Sequence, residues 1–195
     1  MRRSVCAVAL FALAAGTAPA QAQSVGTSPE VPYVRRGLLI GFGVGGGNIQ
    51  AECDTAEGNL CDEVLESGSV HFHVGGMLKP NLGVMLDVWP MVYHEDFLTI
   101  VHTITTGAVQ FWVTPRLWLK GGLGVARAEF HWDGIFVEED VQTDTVPAAM
   151  AAIGYEFLVK RNFVMDVGFR AGTGNYEDDG AKGHSFALEV GFNWY

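Results

Sequence analysis

The chain has 195 residues, of which 49% are apolar and 25 are glycine, with a net charge of −10 and a mean hydropathy of +0.20. After the first 22 residues, no charge-free apolar run approaches the roughly 20 residues that a membrane-spanning helix needs. This excludes a helical membrane protein. Apolar content without such runs predicts a buried β core or a lipid-facing barrel, and the composition rich in glycine and aromatic residues favours an all-β fold.

Residues 1–22 have the features of a secretory signal peptide. Arg2 and Arg3 precede an apolar run over residues 5–15, and small residues then offer cleavage near Ala20 or Ala22. The apolar run is too short to cross a bilayer, so we expect Sec-type export followed by cleavage. Residues 23–36 are predicted to be a periplasmic lead-in, and residues 37–195 form one predicted domain.

Two cysteines remain after cleavage, Cys53 and Cys61, and both lie in a polar stretch. In an oxidising compartment this spacing predicts a disulfide that closes a short loop. Metal binding is the alternative, but the stretch has no CxxC motif and no nearby histidine. No cofactor is expected, and the absence of P-loop, GxSxG and HExxH motifs gives no reason to predict an enzyme.

Eight segments alternate apolar and polar residues with the period of two that an extended strand requires. The last segment shows this most clearly, because its large apolar residues alternate up to Trp194, while Tyr195 falls on the polar face. The eight predicted strands cover residues 37–50, 69–79, 82–93, 98–113, 117–132, 146–159, 163–173 and 185–194.

The connectors between these segments alternate in length. Three are short turns at residues 79–81, 114–116 and 160–162, and longer connectors lie between them, including an acidic loop over residues 133–145. This is the layout of an up-and-down antiparallel barrel with tight periplasmic turns and longer outer loops. Both ends of the barrel domain are then expected on the periplasmic side.

The chain resembles the small eight-stranded outer-membrane barrels of the OmpA/OmpX type. The resemblance rests on the glycine-alternating first strand at residues 38–47, on Leu117-Trp-Leu-Lys-Gly-Gly-Leu-Gly124, and on the aromatic final strand. It implies an eight-stranded antiparallel transmembrane β-barrel in the outer membrane of a Gram-negative bacterium, inserted by the outer-membrane assembly machinery; we expect a monomer. The aromatic residue that usually ends such chains lies on the apolar face, and Tyr195 departs from that pattern.

Charged residues sort by predicted side. The periplasmic edge carries basic residues, namely Arg35, Arg36, Lys79, Arg116, Lys160 and Arg161. The predicted outer loops and strand tips carry 17 acids: Glu52, Asp54, Glu57, Asp62, Glu63, Glu66, Glu95, Asp96, Glu129, Asp133, Glu138, Glu139, Asp140, Asp144, Glu177, Asp178 and Asp179. Such a surface attracts cations and could bind lipopolysaccharide through bridging divalent ions, or it could simply remain solvated.

A second set of charges lies on the inward face of the predicted strands: Asp87, Lys120, Glu156, Asp166, Arg170 and Glu189. An eight-stranded barrel is just wide enough inside for side chains, so these groups are predicted to form a salt-bridged plug with Lys120 and Arg170 as its cations. Lys120 and Glu156 lie on adjacent strands. A gated ion path or an acid/base pair is the alternative reading, and His71 with His73 could be a ligand site.

The sequence thus predicts a structural or surface-interaction protein of the outer membrane, with lipid and lipopolysaccharide as partners and no nucleic acid. The first alternative is a narrow conduit for ions or small solutes. The second is a soluble, lipocalin-like periplasmic barrel, which would have the opposite orientation, with Phe186, Phe192 and Trp194 inside.

Overall fold

The computed structural model describes residues 35–53, 64–133, 138–176 and 181–195. The predicted signal peptide, most of the lead-in and Cys61 lie outside these ranges. Across the described ranges, no helix has the length and apolar character needed to cross a membrane.

The described residues form nine strands, and eight of them close into an all-antiparallel barrel. The strand order around the wall is β4-β3-β2-β1-β9-β8-β7-β5, and pairing of β4 with β5 closes the barrel. The strands are β1 (Leu38–Cys53), β2 (Val64–Lys79), β3 (Leu82–Glu95), β4 (Leu98–Trp112), β5 (Leu117–Asp133), β6 (Glu138–Gln142), β7 (Val146–Lys160), β8 (Phe163–Tyr176) and β9 (Ala181–Trp194). The predicted eight-stranded barrel is therefore confirmed.

The stagger of the strands fixes the width of the lumen. Paired residues can be followed once around the wall, and the path that leaves β5 at Ala128 returns to it at Trp118, ten residues lower (128 − 118). The path runs through His102, Met91, Ser69, Gly45, Glu189, Gly168 and Gly154. Eight strands with this stagger tilt by about 40° and leave an interior that side chains can fill.

The two faces of the wall differ in chemistry. Every barrel strand exposes large apolar side chains on the outside, for example Phe42, Phe72, Leu86, Val109, Leu123, Ile153, Phe169 and Leu188. The inward positions hold the buried polar and charged residues together with buried tryptophan and methionine. This orientation is the reverse of that in a soluble barrel, and Phe186, Phe192 and Trp194 lie on the outer side.

Some predicted boundaries were wrong. Residues 138–142, expected within an acidic loop, form β6, which pairs with the projecting end of β5. Thr143 links this short strand to the barrel, since its backbone N–H donates to the Ala128 carbonyl at 2.9 Å and its hydroxyl accepts from the Ala128 N–H at 2.9 Å. Between β3 and β4 the expected loop is a two-residue turn at Asp96, where φ is +50°.

Candidate functional site

The first strand leaves room in the lumen for side chains from its neighbour. Gly41 and Gly43 face inward, and a Cβ at Gly41 would lie 2.4 Å from the His73 ring, while one at Gly43 would lie 2.2 Å from His71. The two imidazoles occupy that space and stack with centroids 5.5 Å apart and an interplanar angle of 10°. The glycine alternation of β1 therefore serves packing inside the barrel.

Asp87 is the centre of a salt-bridge network that crosses the lumen. Its carboxylate accepts from Lys120 Nζ at 2.9 Å and from Arg170 Nη1 at 2.7 Å, and each of these three side chains is 1% exposed. Asp87 lies on β3 and Arg170 on β8, and three strands separate β3 from β8 in either direction around the wall. The contact thus joins opposite sides of the barrel.

Glu189 on β9 extends this network toward β2. Its carboxylate accepts from Arg170 Nε at 3.2 Å and from the Ser69 hydroxyl at 2.5 Å, and it lies 2.7 Å from His71 Nδ1. The Trp89 indole N–H donates to the Ser69 hydroxyl at 2.7 Å. Because a buried charge is costly unless it is paired and hydrogen-bonded, these contacts stabilise Glu189 by giving both of its oxygens a donor, and they pair Arg170 with a second carboxylate.

A separate cluster closes the mouth of the barrel on the side of the short turns. Glu156 is fully buried and accepts from Arg35 Nη2 at 2.5 Å and from the Trp112 indole N–H at 2.6 Å. Arg35, one of the basic residues predicted at the periplasmic edge, lies at this end of the barrel, and its side chain is buried rather than solvated, since the residue is 5% exposed. Lys120 and Glu156 are not brought together. Lys120 lies opposite Ala152 on β7, and Glu156 is four residues away from Ala152 on the same strand.

Asp166 is the carboxylate with the least charge compensation. Its Oδ2 accepts from the Asn193 side-chain amide at 2.7 Å, and among the described residues no basic side chain lies within salt-bridge distance. The described lumen network therefore has four carboxylates (Asp87, Glu156, Asp166, Glu189) and three fixed cations (Arg35, Lys120, Arg170). Lys120 and Arg170 were predicted as the cations of the lumen, whereas Arg35, which precedes the first strand, was not.

The half of the lumen away from the short turns is filled by a mainly apolar layer. Its buried members are Ile49, Leu65, Met91, Ile100, Ile104, Ala126, Ala148, Met150 and Tyr176. Within this layer, the His102 ring Nδ1 lies 2.8 Å from the Ser185 hydroxyl, and both side chains are buried. A small cavity of about 10 Å³, beside Asp166, Trp118 and Arg170, has room for about one water molecule.

The predicted histidine site consists of His71 and His73, and the described residues around them provide no set of metal ligands. His71 lies against Glu189, whereas neither ring nitrogen of His73 has a hydrogen-bond partner among the described residues. In the same described ranges, no three His, Cys, Asp or Glu side chains are grouped so that they could hold a metal ion. The predicted Cys53–Cys61 disulfide and most of the predicted acidic loops lie outside the described side chains.

The barrel is similar to solved structures of small outer-membrane barrels. Ail, the attachment invasion locus protein of Yersinia pestis, was solved in complex with the heparin analogue sucrose octasulfate. It is 17% identical with a TM-score of 0.58, and the match covers 82% of this chain and 99% of that one. Neisserial surface protein A is 15% identical with a TM-score of 0.56, over 80% of this chain and 96% of its own. The sequence matches no protein-family model and no curated protein at a significant level. These similarities establish the fold.

Proposed function

We propose that the chain is an outer-membrane β-barrel protein of a Gram-negative bacterium, with a closed lumen and a structural or surface-interaction role. The observation that carries this proposal is the combination of a continuous apolar exterior with a lumen filled by paired charges. A barrel with these two faces is suited to lipid outside, and it offers no wide channel inside.

The apolar exterior has the dimensions of a membrane-spanning belt. On β9 the outward residues run from Phe186 to Trp194, which is about 27 Å along the strand and about 20 Å along the axis of a barrel tilted by about 40°. Aromatic rings collect at the periplasmic end, where Phe42 stacks on Phe192 at 5.0 Å and Phe163 lies 5.2 Å from Trp194. Aromatic girdles of this kind are typical of barrels at the lipid–water boundary.

The lumen has two successive barriers to solutes. An ion that entered from the periplasm would have to displace Arg35 from Glu156 and then separate Asp87 from both of its cations. It would next have to cross the mainly apolar layer around Met91 and Ile104, whose side chains cannot replace the hydration shell of an ion. We therefore place the conduit function second, with the charged network as its only support.

Because the lumen is closed, the proposed interactions fall to the surface formed by the outer loops and strand tips. The charge of this surface indicates the chemistry of its partners. Glu66, Glu95 and Asp96 are exposed at strand tips, and the sequence places many further acids in the adjoining loops. A sulfated polyanion such as the one bound to Ail would be repelled by such a surface. We propose that the contacts are cationic groups or divalent ions that bridge to lipopolysaccharide phosphates.

Cell fractionation with a heat-shift gel tests the membrane assignment. We expect the protein in the outer-membrane fraction, migrating faster unboiled than boiled, as a closed detergent-resistant barrel does. A soluble periplasmic band without a heat shift would refute the proposal. Planar-bilayer recording then separates the two membrane functions, because steady openings that disappear in Lys120→Ala or Glu156→Ala would establish the conduit instead.

A further inference from the structure

The periplasmic mouth contains a compartment that has the composition of a receptor for a guanidinium group. Arg35 Nη2 donates to Glu156 Oε2 at 2.5 Å and to the Pro115 carbonyl at 2.7 Å. The guanidinium carbon lies 4.7 Å from the Trp112 ring centroid and 5.8 Å from that of Tyr195. The two rings meet edge to face at 5.8 Å. One carboxylate, one carbonyl and two aromatic rings thus surround a single side chain.

We propose that this compartment is a binding site for one arginine side chain and that Arg35 is its resident ligand, fastening the segment before β1 inside the barrel mouth. We call it the arginine site: Trp112, Pro115, Glu156 and Tyr195. The proposal rests on the proposed function for the periplasmic location of the mouth. It assigns a role to the contact between Arg35, which precedes the first strand, and Tyr195, which follows the last.

The chemistry of the site selects arginine over lysine. A planar guanidinium can stack on Trp112 while its edge donates to a carboxylate and a carbonyl at once, whereas an ammonium is a compact and strongly hydrated charge. Trp112 also positions the acceptor, because its indole N–H holds the second Glu156 oxygen at 2.6 Å. Both carboxylate oxygens therefore have donors when Arg35 is in place.

The site needs a cation because two carboxylates face each other there. Glu156 on β7 lies directly opposite Asp166 on β8, both point inward, and such cross-strand pairs have Cβ atoms about 5 Å apart. Asp166 contacts the Asn193 amide, which carries no charge. Without Arg35, the described groups at this level would leave two buried acids beside each other with no fixed positive charge on either.

The backbone is shaped to deliver Arg35. Gly37 has φ +80°, a conformation that favours glycine, and its carbonyl accepts from the Met77 N–H at 2.9 Å as β1 begins. The chain thus bends sharply between the mouth and the wall, while Arg36 remains exposed. Tyr195 forms one side of the arginine site and therefore faces inward. This inward position accounts for its departure from the usual aromatic phase.

Chemical rescue tests the assignment in the full chain refolded into lipid vesicles. Arg35→Ala should unfold on the order of 100-fold faster than wild type, because it leaves Glu156 buried and unpaired. Millimolar methylguanidinium should slow that unfolding, by about tenfold at ten times its Kd. Arg36→Ala is the matched control and should unfold at the wild-type rate with no response. Urea and sodium chloride at equal concentration test for solvent and ionic-strength effects.

One further variant and a refolding measurement keep the result interpretable. Arg35→Ala combined with Glu156→Gln should lose the response to methylguanidinium, because the carboxylate is gone. If Arg35→Ala does not refold alone, refolding that succeeds with methylguanidinium and fails with urea supports the site equally. A response shared by Arg36→Ala, or no response in either measurement, would overturn the proposal. A wild-type protein without a heat-shifted band would instead defeat the membrane assignment.

Discussion

Replacing Asp87 by alanine should destabilise the barrel more than any loss of a surface charge. Asp87 is 1% exposed and accepts one charge-assisted hydrogen bond from Lys120 and another from Arg170. Arg170 retains Glu189 in the variant, so the main cost is a buried Lys120 without a counter-ion. Breaking such a buried pair costs about 3–5 kcal/mol. Asp87→Asn should cost less, since its amide oxygen still accepts a hydrogen bond.

Removing Lys120, the cation left without a counter-ion, provides the decisive comparison. Lys120→Met in the Asp87→Asn background should recover most of the lost stability, since it removes the buried cation that Asp87→Asn leaves without a counter-ion. The assay is urea unfolding in lipid vesicles, followed by tryptophan fluorescence. Glu66→Ala is the surface control and should change stability by less than about 0.5 kcal/mol.

The network interpretation can fail in two ways. A loss below about 1 kcal/mol for Asp87→Ala would mean that water, rather than this carboxylate, compensates the two cations. Lys120→Met alone completes a double-mutant cycle, and a Lys120→Met effect that is the same in the wild type and in the Asp87→Asn background would show that the two residues are not energetically coupled.

Three further outcomes follow from the wall of the barrel. A Cβ at Gly47 would lie 1.8 Å from a backbone carbonyl oxygen, whereas the atom nearest to a Cβ at Gly46 would be 3.9 Å away. Gly47→Ala should therefore lower the temperature at which the fast-migrating folded band on a gel converts to the unfolded band, and Gly46→Ala should not. Val190→Arg should destabilise the barrel in vesicles by about 2–4 kcal/mol, as expected near the bilayer midplane, and an unchanged urea midpoint would contradict a lipid-facing position. Thiol labelling without reductant should find neither Cys53 nor Cys61 free, and labelling of both would exclude their disulfide.

The strands could be predicted because period-two alternation is a local property. Leu119 faces out and Lys120 faces in, and no information from distant residues is needed to see that. Strand β4 was less clear, because Thr103 and Thr105 occupy outward positions while Thr106 points inward. Strand β6 was missed because its acidic residues show no apolar alternation, and its hydrogen bonds come from the projecting end of β5.

The charged residues of the lumen could be predicted as a set but not as pairs. Side chains in a narrow barrel reach across the lumen, so Lys120 meets Asp87 on a wall strand two positions away rather than Glu156 on its neighbour. Strand stagger decides these meetings, and stagger depends on the complete ladder of pairings. The burial of Arg35 could not be predicted, because a basic residue beside a strand end ordinarily remains in water, and the bend at Gly37 that turns it inward has no distinctive sequence pattern.

The salt bridge from Arg170 to Asp87 also has a mechanical consequence. A hollow cylinder deforms most easily by flattening into an ellipse, which keeps its circumference constant and therefore strains no hydrogen bond along the wall. A tie across the diameter changes length in that deformation, so each squeeze must compress or stretch a charged contact. The barrel is thereby stiffened against the lateral pressure of its surroundings, and its cross-section stays round without any thickening of the wall.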